Sequence, residues 1–419
     1  MTHPLLAIPN SFHSGHPRGI TSVCSAHPIV IEAALRLAKE LGRPALIEAT
    51  CNQVNQDGGY TGMTPQGFRD FVEGIAATAD CEGVEIILGG DHLGPNPWKD
   101  LPADAAMAKA ETMIAAYAGA GFTKLHLDTS MGCAGEPIAL GDDVTAARAA
   151  RLAAVAEANA PGDPKPVYVI GTEVPVPGGA LEDLDHLQVT GPASVATTHA
   201  VHRDAFLAEG LAAAFDRVIA LVVQPGVEFG HSDVVHFDPS AAADLAASLS
   251  RYPGVVFEAH STDYQTSGAL AALVQNGFSI LKVGPWLTFA LREALYGLDA
   301  IADVLEGLAP QGRLMQAMEA EMQSAPGNWQ KYYQGDDRDV WLLRHFSLSD
   351  RIRYYWPSAA ATDAVAIVAA RLDGVTIPGP VARQYLPHVT TADTELDTRT
   401  ALIGSVQAVL RKYEAAISG

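Results

Sequence analysis

Basic residues are scarce in this chain. Lysine and arginine number 27 against 48 aspartates and glutamates, a formal charge of −21. A field of that sign repels phosphate backbones, so nucleic acid is excluded as a partner, and an anion can bind only at a local basic cluster. Cysteine is rarer still: Cys24, Cys51, Cys81 and Cys133 stand far apart, with no Cys-x-x-Cys pair. That argues against a zinc ribbon or a disulfide framework and for a reducing, cytoplasmic setting. No uncharged apolar run reaches the length of a membrane span, and the N-terminal residues lack the basic and apolar regions of a signal peptide. Also missing are a Gly-x-Gly-x-x-Gly after the first strand and a Walker A sequence, which counts against a nicotinamide enzyme and a kinase.

What is present is alternation. Apolar, β-branched runs at 19–24, 45–50, 84–90, 124–129, 167–172, 217–223, 255–260 and 279–284 read as strands. Between and after them, 28–41, 65–80, 103–120, 142–159, 192–214, 239–250, 265–276 and 287–306 read as helices. Pro28 and Pro65 suit a first helical turn, and Gly42, Gly121 and Gly277 suit helix ends. Eight strands strictly alternating with eight helices predict a (β/α)8 TIM barrel over residues 1–307. Residues 308–419 change character, with helices expected at 311–323, 361–373 and 396–416, and are read as a helical C-terminal extension packed on the barrel.

The loops after the strands form the working face of such a barrel, and polar residues gather there. Glu48, Asn52 and Gln53 follow the second strand, Asp91 and His92 the third, and Asp128 the fourth. Glu173 follows the fifth, Gln224 and then His231 the sixth, and Glu258, His260, Ser261 and Asp263 the seventh. Two imidazoles and a carboxylate with an open position suit a divalent ion. His92, Glu173 and His260 are the expected ligands, with Gln224 or His231 as a fourth. Zinc is the expected metal, with manganese, nickel or magnesium as alternatives. Side-chain alternation sends Asp91 and His92 to opposite sides of the strand unless Gly89-Gly90 re-aims one. His126 lies within the fourth strand and reads as an interior histidine, while His3, His13, His16, His186, His345 and His388 read as ordinary polar positions.

Strand-end acids and amides suit a polyhydroxylated ligand. A metal polarising a carbonyl, with Asp91 moving a hydroxyl proton, would support retro-aldol cleavage between C3 and C4 of a ketose, and re-addition would epimerise C4. Glu48, Glu173, Asp128 and Glu258 are further proton-transfer or hydroxyl-binding candidates. Arg351 and Arg353 in the extension are candidates for a substrate phosphate, or else part of a packing surface and oligomer contact.

Long segments make the assignment more specific. His16–Ile20, Glu48–Gln56, Gly58–Pro65, Gly89–Asn96, Gly171–Pro175, Gln224–Phe229, Glu258–Gln265, Lys282–Pro285 and Ser347–Pro357 resemble the GatZ/KbaZ family. That resemblance implies an aldolase-like ketohexose enzyme, a 4-epimerase of tagatose and fructose or their phosphates. The alternative it implies is a non-catalytic subunit partnering a GatY/KbaY-type D-tagatose-1,6-bisphosphate aldolase; the family was once labelled a tagatose-6-phosphate kinase. By similarity to class II aldolases, Asp91 would transfer protons, and His92 and His260 would bind zinc. Gln224 stands where those enzymes have a ligand histidine. Pro285 removes an N–H where a phosphate nest would need one, which favours a less phosphorylated, or unphosphorylated, ketohexose over a bisphosphate. A homo-oligomer is expected.

Overall fold

The computed structural model describes residues 2–172, 187–386, 388–389 and 397–418. Eight parallel strands close a barrel: β1 (Ile20–Cys24), β2 (Ala45–Thr50), β3 (Ile86–Leu93), β4 (Lys124–Leu127), β5 (Val167–Ile170), β6 (Val218–Val223), β7 (Val256–Ala259) and β8 (Phe278–Val283). Each pairs with its sequence neighbours, and β1 closes the ring against β8. All eight strands expected from the sequence form. Helices over Pro28–Leu41, Pro65–Thr78, Ala103–Gly119 and Asp142–Asn159 also follow the expected spans to within two residues.

The helices depart from expectation in three places. The expected helix 192–214 breaks into Pro192–Ala208 and Ala212–Phe215 at Gly210, whose φ is +73°. The helix expected over 239–250 shrinks to Ala243–Ser248, followed by a 3-10 turn. Helices over Ala7–His13, Asp337–Phe346 and Gly379–Tyr385 were not read from the sequence; two are seven residues long, too short to show a clear period.

Because side chains on a strand alternate, every second residue points into the barrel, and the interior is built in layers. The floor is apolar: Ile20, Leu46, Ile87, Val167, Val169, Val256 and Ile280 pack together, and Leu5 and Ile8 from the N-terminal segment pack against them. Two residues further along come Glu48, Glu258 and Lys282, joined by Lys124 at the start of β4, all buried. Two further again come Asp91, His126 and His260 at the mouth. The charged layer needs room, which Gly89 supplies. A Cβ there would lie 2.6 Å from Glu48 Cγ.

The C-terminal segment is bound to the barrel over much of its length. The helix Thr398–Ile417 packs on the helices Pro28–Leu41, Ser267–Gln275 and Pro285–Leu305. Its Glu414 accepts from Thr21 at 2.8 Å and pairs with Arg43 at 3.3 Å, while Tyr413 Oη donates to the Thr262 carbonyl at 2.7 Å. Residues 347–356 fold over the mouth. Asp350 accepts from Thr288 at 2.6 Å and Arg292 at 3.2 Å, and the Tyr264 hydroxyl donates to Leu348 O at 2.6 Å. No helix among the described residues is long and apolar enough to cross a membrane.

Two histidines read as ordinary polar positions are buried instead. His3 accepts from Leu5 N at 3.1 Å, and His345 lies between Tyr296 Oη at 2.8 Å and Glu319 at 3.1 Å. His202 is buried as well, its Nδ1 2.8 Å from Thr198 O. His186 lies outside the described residues. Burial lowers the pKa of His3, His202 and His345 to about 4, an Arg217 charge adding to the effect at His3. In the unfolded chain each would titrate near 6.5. Below that value the unfolded state binds protons that the folded state refuses, so stability is full above pH 6.5 and falls as pH drops toward 4. Each histidine contributes up to about 1.4 kcal/mol per pH unit in that window. Denaturant unfolding at a series of pH values should show stability declining from about pH 6.5, well above the carboxylate range. His202→Gln should flatten the slope, and a slope unchanged by it would refute the assignment.

Candidate active site

The third strand delivers Asp91 and His92 to one place by an irregularity in the backbone. Its ladder to β4 shifts register between Gly90 and Leu93, and His92 adopts a left-handed φ of +48°. That turn undoes the alternation of strand side chains, so both residues face the mouth. The re-aiming lies at His92 itself and not in the glycine pair. Five non-glycine residues among those described have positive φ, and four of them (His92, Ser261, Tyr264 and Asp350) surround the mouth. A left-handed conformation costs an ordinary residue about 1–2 kcal/mol, so the surroundings hold each one in place.

Three imidazoles, from β3, β4 and the end of β7, form a nearly equilateral triangle. Ring centroids of His92, His126 and His260 are 4.9, 5.1 and 5.2 Å apart. Each ring is tied to a carboxylate through one nitrogen. His92 Nδ1 lies 2.8 Å from Asp128, His126 Nδ1 2.9 Å from Asp91, and His260 Nε2 2.9 Å from Glu258. For His92 and His260 a carboxylate on one nitrogen leaves the opposite lone pair available, as at metal-bound histidines, while His126 Nδ1 also accepts from His92 N at 3.2 Å. His126 Nε2 is buried and has no hydrogen-bond partner among the described residues. Together with Asp91, the three histidines place their candidate ligand atoms within 4.8 Å of one another. An orphaned imidazole nitrogen among two further imidazoles and a carboxylate fits a divalent ion of the zinc type.

Beneath the histidines lies the ionic layer. Lys124 Nζ is 2.6 Å from both Glu48 and Glu258, and all three side chains are fully buried. Lys282 Nζ bridges Asp91, Glu48 at 2.7 Å and Glu258 at 3.5 Å. Burial alone would raise Asp91 and Glu258, but the lysine and imidazole charges beside them hold both carboxyls well below the usual range. Burial would lower the two lysines, and the surrounding carboxylates instead drive both upward, so they stay charged. Burial takes His260 down to about 3, so it is neutral at physiological pH. His92 is raised, because Asp91 and Asp128 outweigh its burial.

Above this set opens a cavity of about 450 Å³ lined by Asp91, His92, His260, Lys282, Asn52 and Gln53, among others. Ser261 and Asp263 line its β7 side, and Tyr60, Lys99, Arg351, Arg353 and Tyr354 its rim. Glu48, Asp128 and Glu258, read as proton-transfer or substrate groups, do not line it. They stand behind or below the histidines as hydrogen-bond and ion-pair partners. Gln224 does not join the histidines: its Oε1 accepts from Gly226 N at 2.8 Å and Val227 N at 3.0 Å and closes its own turn. His231 is also elsewhere, its Nδ1 3.0 Å from Ser347 Oγ. Glu173 lies outside the described residues.

Sequence reasoning left out His126, Lys124 and Lys282. The signal was available: Lys124, His126 and Asp128 are spaced by two along a strand with apolar residues between them, so they share one face, and that face is interior. Lys282 is likewise a lone cation in a buried strand.

Removing one partner from a buried ionic cluster leaves charge uncompensated and typically costs about 3–5 kcal/mol. Lys124→Met should therefore lower unfolding free energy by about that amount, and adding Glu258→Gln should recover part of the loss. Equal stability of wild type and Lys124→Met would refute this account of the layer.

Known proteins agree with this architecture. The chain is 54% identical over 406 residues to the D-tagatose 6-phosphate 4-epimerase of Agrobacterium fabrum (strain C58 / ATCC 33970), covering 96% of each protein. A crystal structure of a probable tagatose 6-phosphate kinase from Sinorhizobium meliloti 1021 superposes with a TM-score of 0.88 at 56% identity, over 95% of this chain and all of that one. A fructuronate-tagaturonate epimerase from Cohnella laeviribosi shares the fold alone, with a TM-score of 0.52 at 11% identity over 95% of this chain and 82% of its own. The family model for D-tagatose-1,6-bisphosphate aldolase subunit GatZ/KbaZ-like proteins matches residues 5–418, and the chain belongs to that family.

Proposed function

We propose that this chain is an enzyme that interconverts ketohexose 6-phosphates differing at C4, D-tagatose 6-phosphate and D-fructose 6-phosphate, by opening and re-forming the C3–C4 bond. The observation that carries the reading is the triangle of His92, His126 and His260 with Asp91 beside it at the mouth of the barrel. The name of the 54% identical relative supports the substrate class.

His92, His126 and His260 would hold a divalent ion, zinc by the softness and number of the imidazole donors, with manganese, nickel or magnesium as the alternatives. Such an ion, when bound, supplies Lewis-acid polarisation of the C2 carbonyl. Asp91 is kept as a carboxylate by Lys282 and His92, the form that accepts a proton. It takes the proton of the C4 hydroxyl as the C3–C4 bond breaks. The bonding pair passes to the C2–C3 side as an enediolate, and C4 becomes an aldehyde. Rotation of the aldehyde presents its other face, the bond re-forms, and Asp91 returns the proton to the C4 oxygen. Atoms and charge balance without a redox partner.

Asn52, Gln53 and Ser261 offer hydrogen bonds to the sugar hydroxyls. Arg351 and Arg353, with exposed Lys99, supply the local positive charge that a phosphate needs on a strongly acidic protein. Arg351 is braced by the Asn328 carbonyl, and its guanidinium lies 3.3 Å above the Tyr332 ring. Arg353 donates to Asp350 O at 3.1 Å and Tyr354 Oη at 2.8 Å.

The purified protein should convert D-tagatose 6-phosphate to D-fructose 6-phosphate, lose activity to a chelator and carry about one bound ion per chain. Asp91→Asn should lower kcat by about 10²–10⁴. His126→Ala should lower both ion content and turnover. Wild-type turnover by Asp91→Asn, or none by protein loaded with each of the four ions, would sink the proposal.

A further inference from the structure

The end of β8 in an eight-stranded barrel, where the chain turns into a helix, commonly binds phosphate through backbone N–H groups and the helix dipole. Here those donors are already engaged. Gly284 N and Trp286 N both donate to Asp263 Oδ1, at 3.0 and 2.8 Å. Pro285 between them has no N–H, and Leu287 N donates to Gly284 O at 3.0 Å. The chain's own carboxylate therefore lies where a phosphate would otherwise sit.

Asp263 is also fixed there by its surroundings. It is 3% exposed and lines the cavity beside Gly284 and Pro285. Ser261 and Tyr264, on either side of it, have φ of +53° and +62°, an arched path that turns the carboxylate toward β8. Thr262 Oγ1 donates to Lys282 O at 2.5 Å, and Tyr413 from the C-terminal helix donates to Thr262 O at 2.7 Å.

We infer that Asp263 is a built-in anion that fills the donor nest at the end of β8 and thereby restricts the substrate to one phosphate. The inference rests on the ketohexose-phosphate reading above and deepens it. The end of the sugar chain turned toward β8 must carry a neutral hydroxyl, which Asp263 can accept from. A phosphate there would meet a like charge, with Gly284 N, Trp286 N and Leu287 N already engaged. The other phosphate finds Arg351 and Arg353 on the rim. Burial raises Asp263 to about 6, against the pull of its two N–H partners and Arg353, so the carboxylate is still mostly ionised at neutral pH.

The test is calorimetric binding of fructose 6-phosphate and fructose 1,6-bisphosphate to wild type, Asp263→Asn and Asp263→Ala at neutral pH, with turnover of the monophosphate followed in parallel. Wild type should bind the monophosphate more tightly. Asp263→Ala removes the charge and frees two donors, so the ratio of bisphosphate to monophosphate affinity should rise about tenfold or more. Asp263→Asn keeps an oxygen on the nest but loses the charge, and the same ratio should rise by about threefold. This variant retains both cap bonds and so decides the matter if the alanine variant does not fold. Ratios unchanged in the folded variants, or wild type binding both sugars equally, would overturn the inference. Absence of monophosphate turnover would instead count against the epimerase reading, leaving the binding ratio as an independent measure of Asp263.

Discussion

Two lysines buried directly above the barrel's apolar floor set the terms for everything above them. A lone buried ammonium costs several kcal/mol, and the cost is offset only when carboxylates with good geometry surround it. Lys124 and Lys282 are met by Glu48, Glu258 and Asp91, three acids from three other strands. Two of those acids each also bond a histidine: Asp91 bonds His126 and Glu258 bonds His260. The orientation of two imidazoles at the mouth is therefore set by the ionic layer one step below. Removal of the Asp91 or Glu258 carboxylate would therefore free an imidazole as well as cost stability.

The strained residues around the mouth are held in the same way by their partners. His92, Ser261, Tyr264 and Asp350 are held in a conformation that glycine would adopt freely, and none of them is glycine. At each, the side chain is needed: an imidazole in the triangle, a hydroxyl lining the cavity, a phenol bonded to Leu348, a carboxylate on Arg292. Segments of the C-terminal region stabilise two of these arches, through Tyr413 on Thr262 and Leu348 on Tyr264. The extension is thus part of how the β7 loop is shaped, and it also carries the two rim arginines.

How much of this was legible in the sequence follows from which physical rule was applied. The strand–helix alternation gave the barrel, because apolar runs of strand length and Gly or Pro punctuation are local signals. Asp91, His92 and His260 were legible as polar residues at strand ends. His126 was not, since a histidine within a strand is usually a hydrogen-bonded interior group, and only its spacing from Lys124 and Asp128 hinted that it faced a charged interior. The left-handed turn at His92 has no sequence signature, so the alternation rule gave the wrong side for one of the pair. Gln224 and His231 failed for the opposite reason: position after a strand does not fix where a side chain points once the loop has hydrogen bonds of its own to close.

The distribution of charge bears on which phosphate chemistry the fold can support. A transferase acting on a nucleoside triphosphate needs a cradle of free backbone donors and a positive field over several phosphates. The helix end at β8 offers the reverse, a carboxylate already seated on the available N–H groups. Among the described residues, the positive charge at the cavity that is not already matched by acids lies at the rim, because Lys282 is paired with Asp91, Glu48 and Glu258. A site with one cationic edge, hydroxyl-bonding amides along its wall and an imidazole triangle at its base suits a polyol chain carrying charge at one end. On a protein of net charge −21, that single edge would also direct such a ligand into the barrel in one orientation.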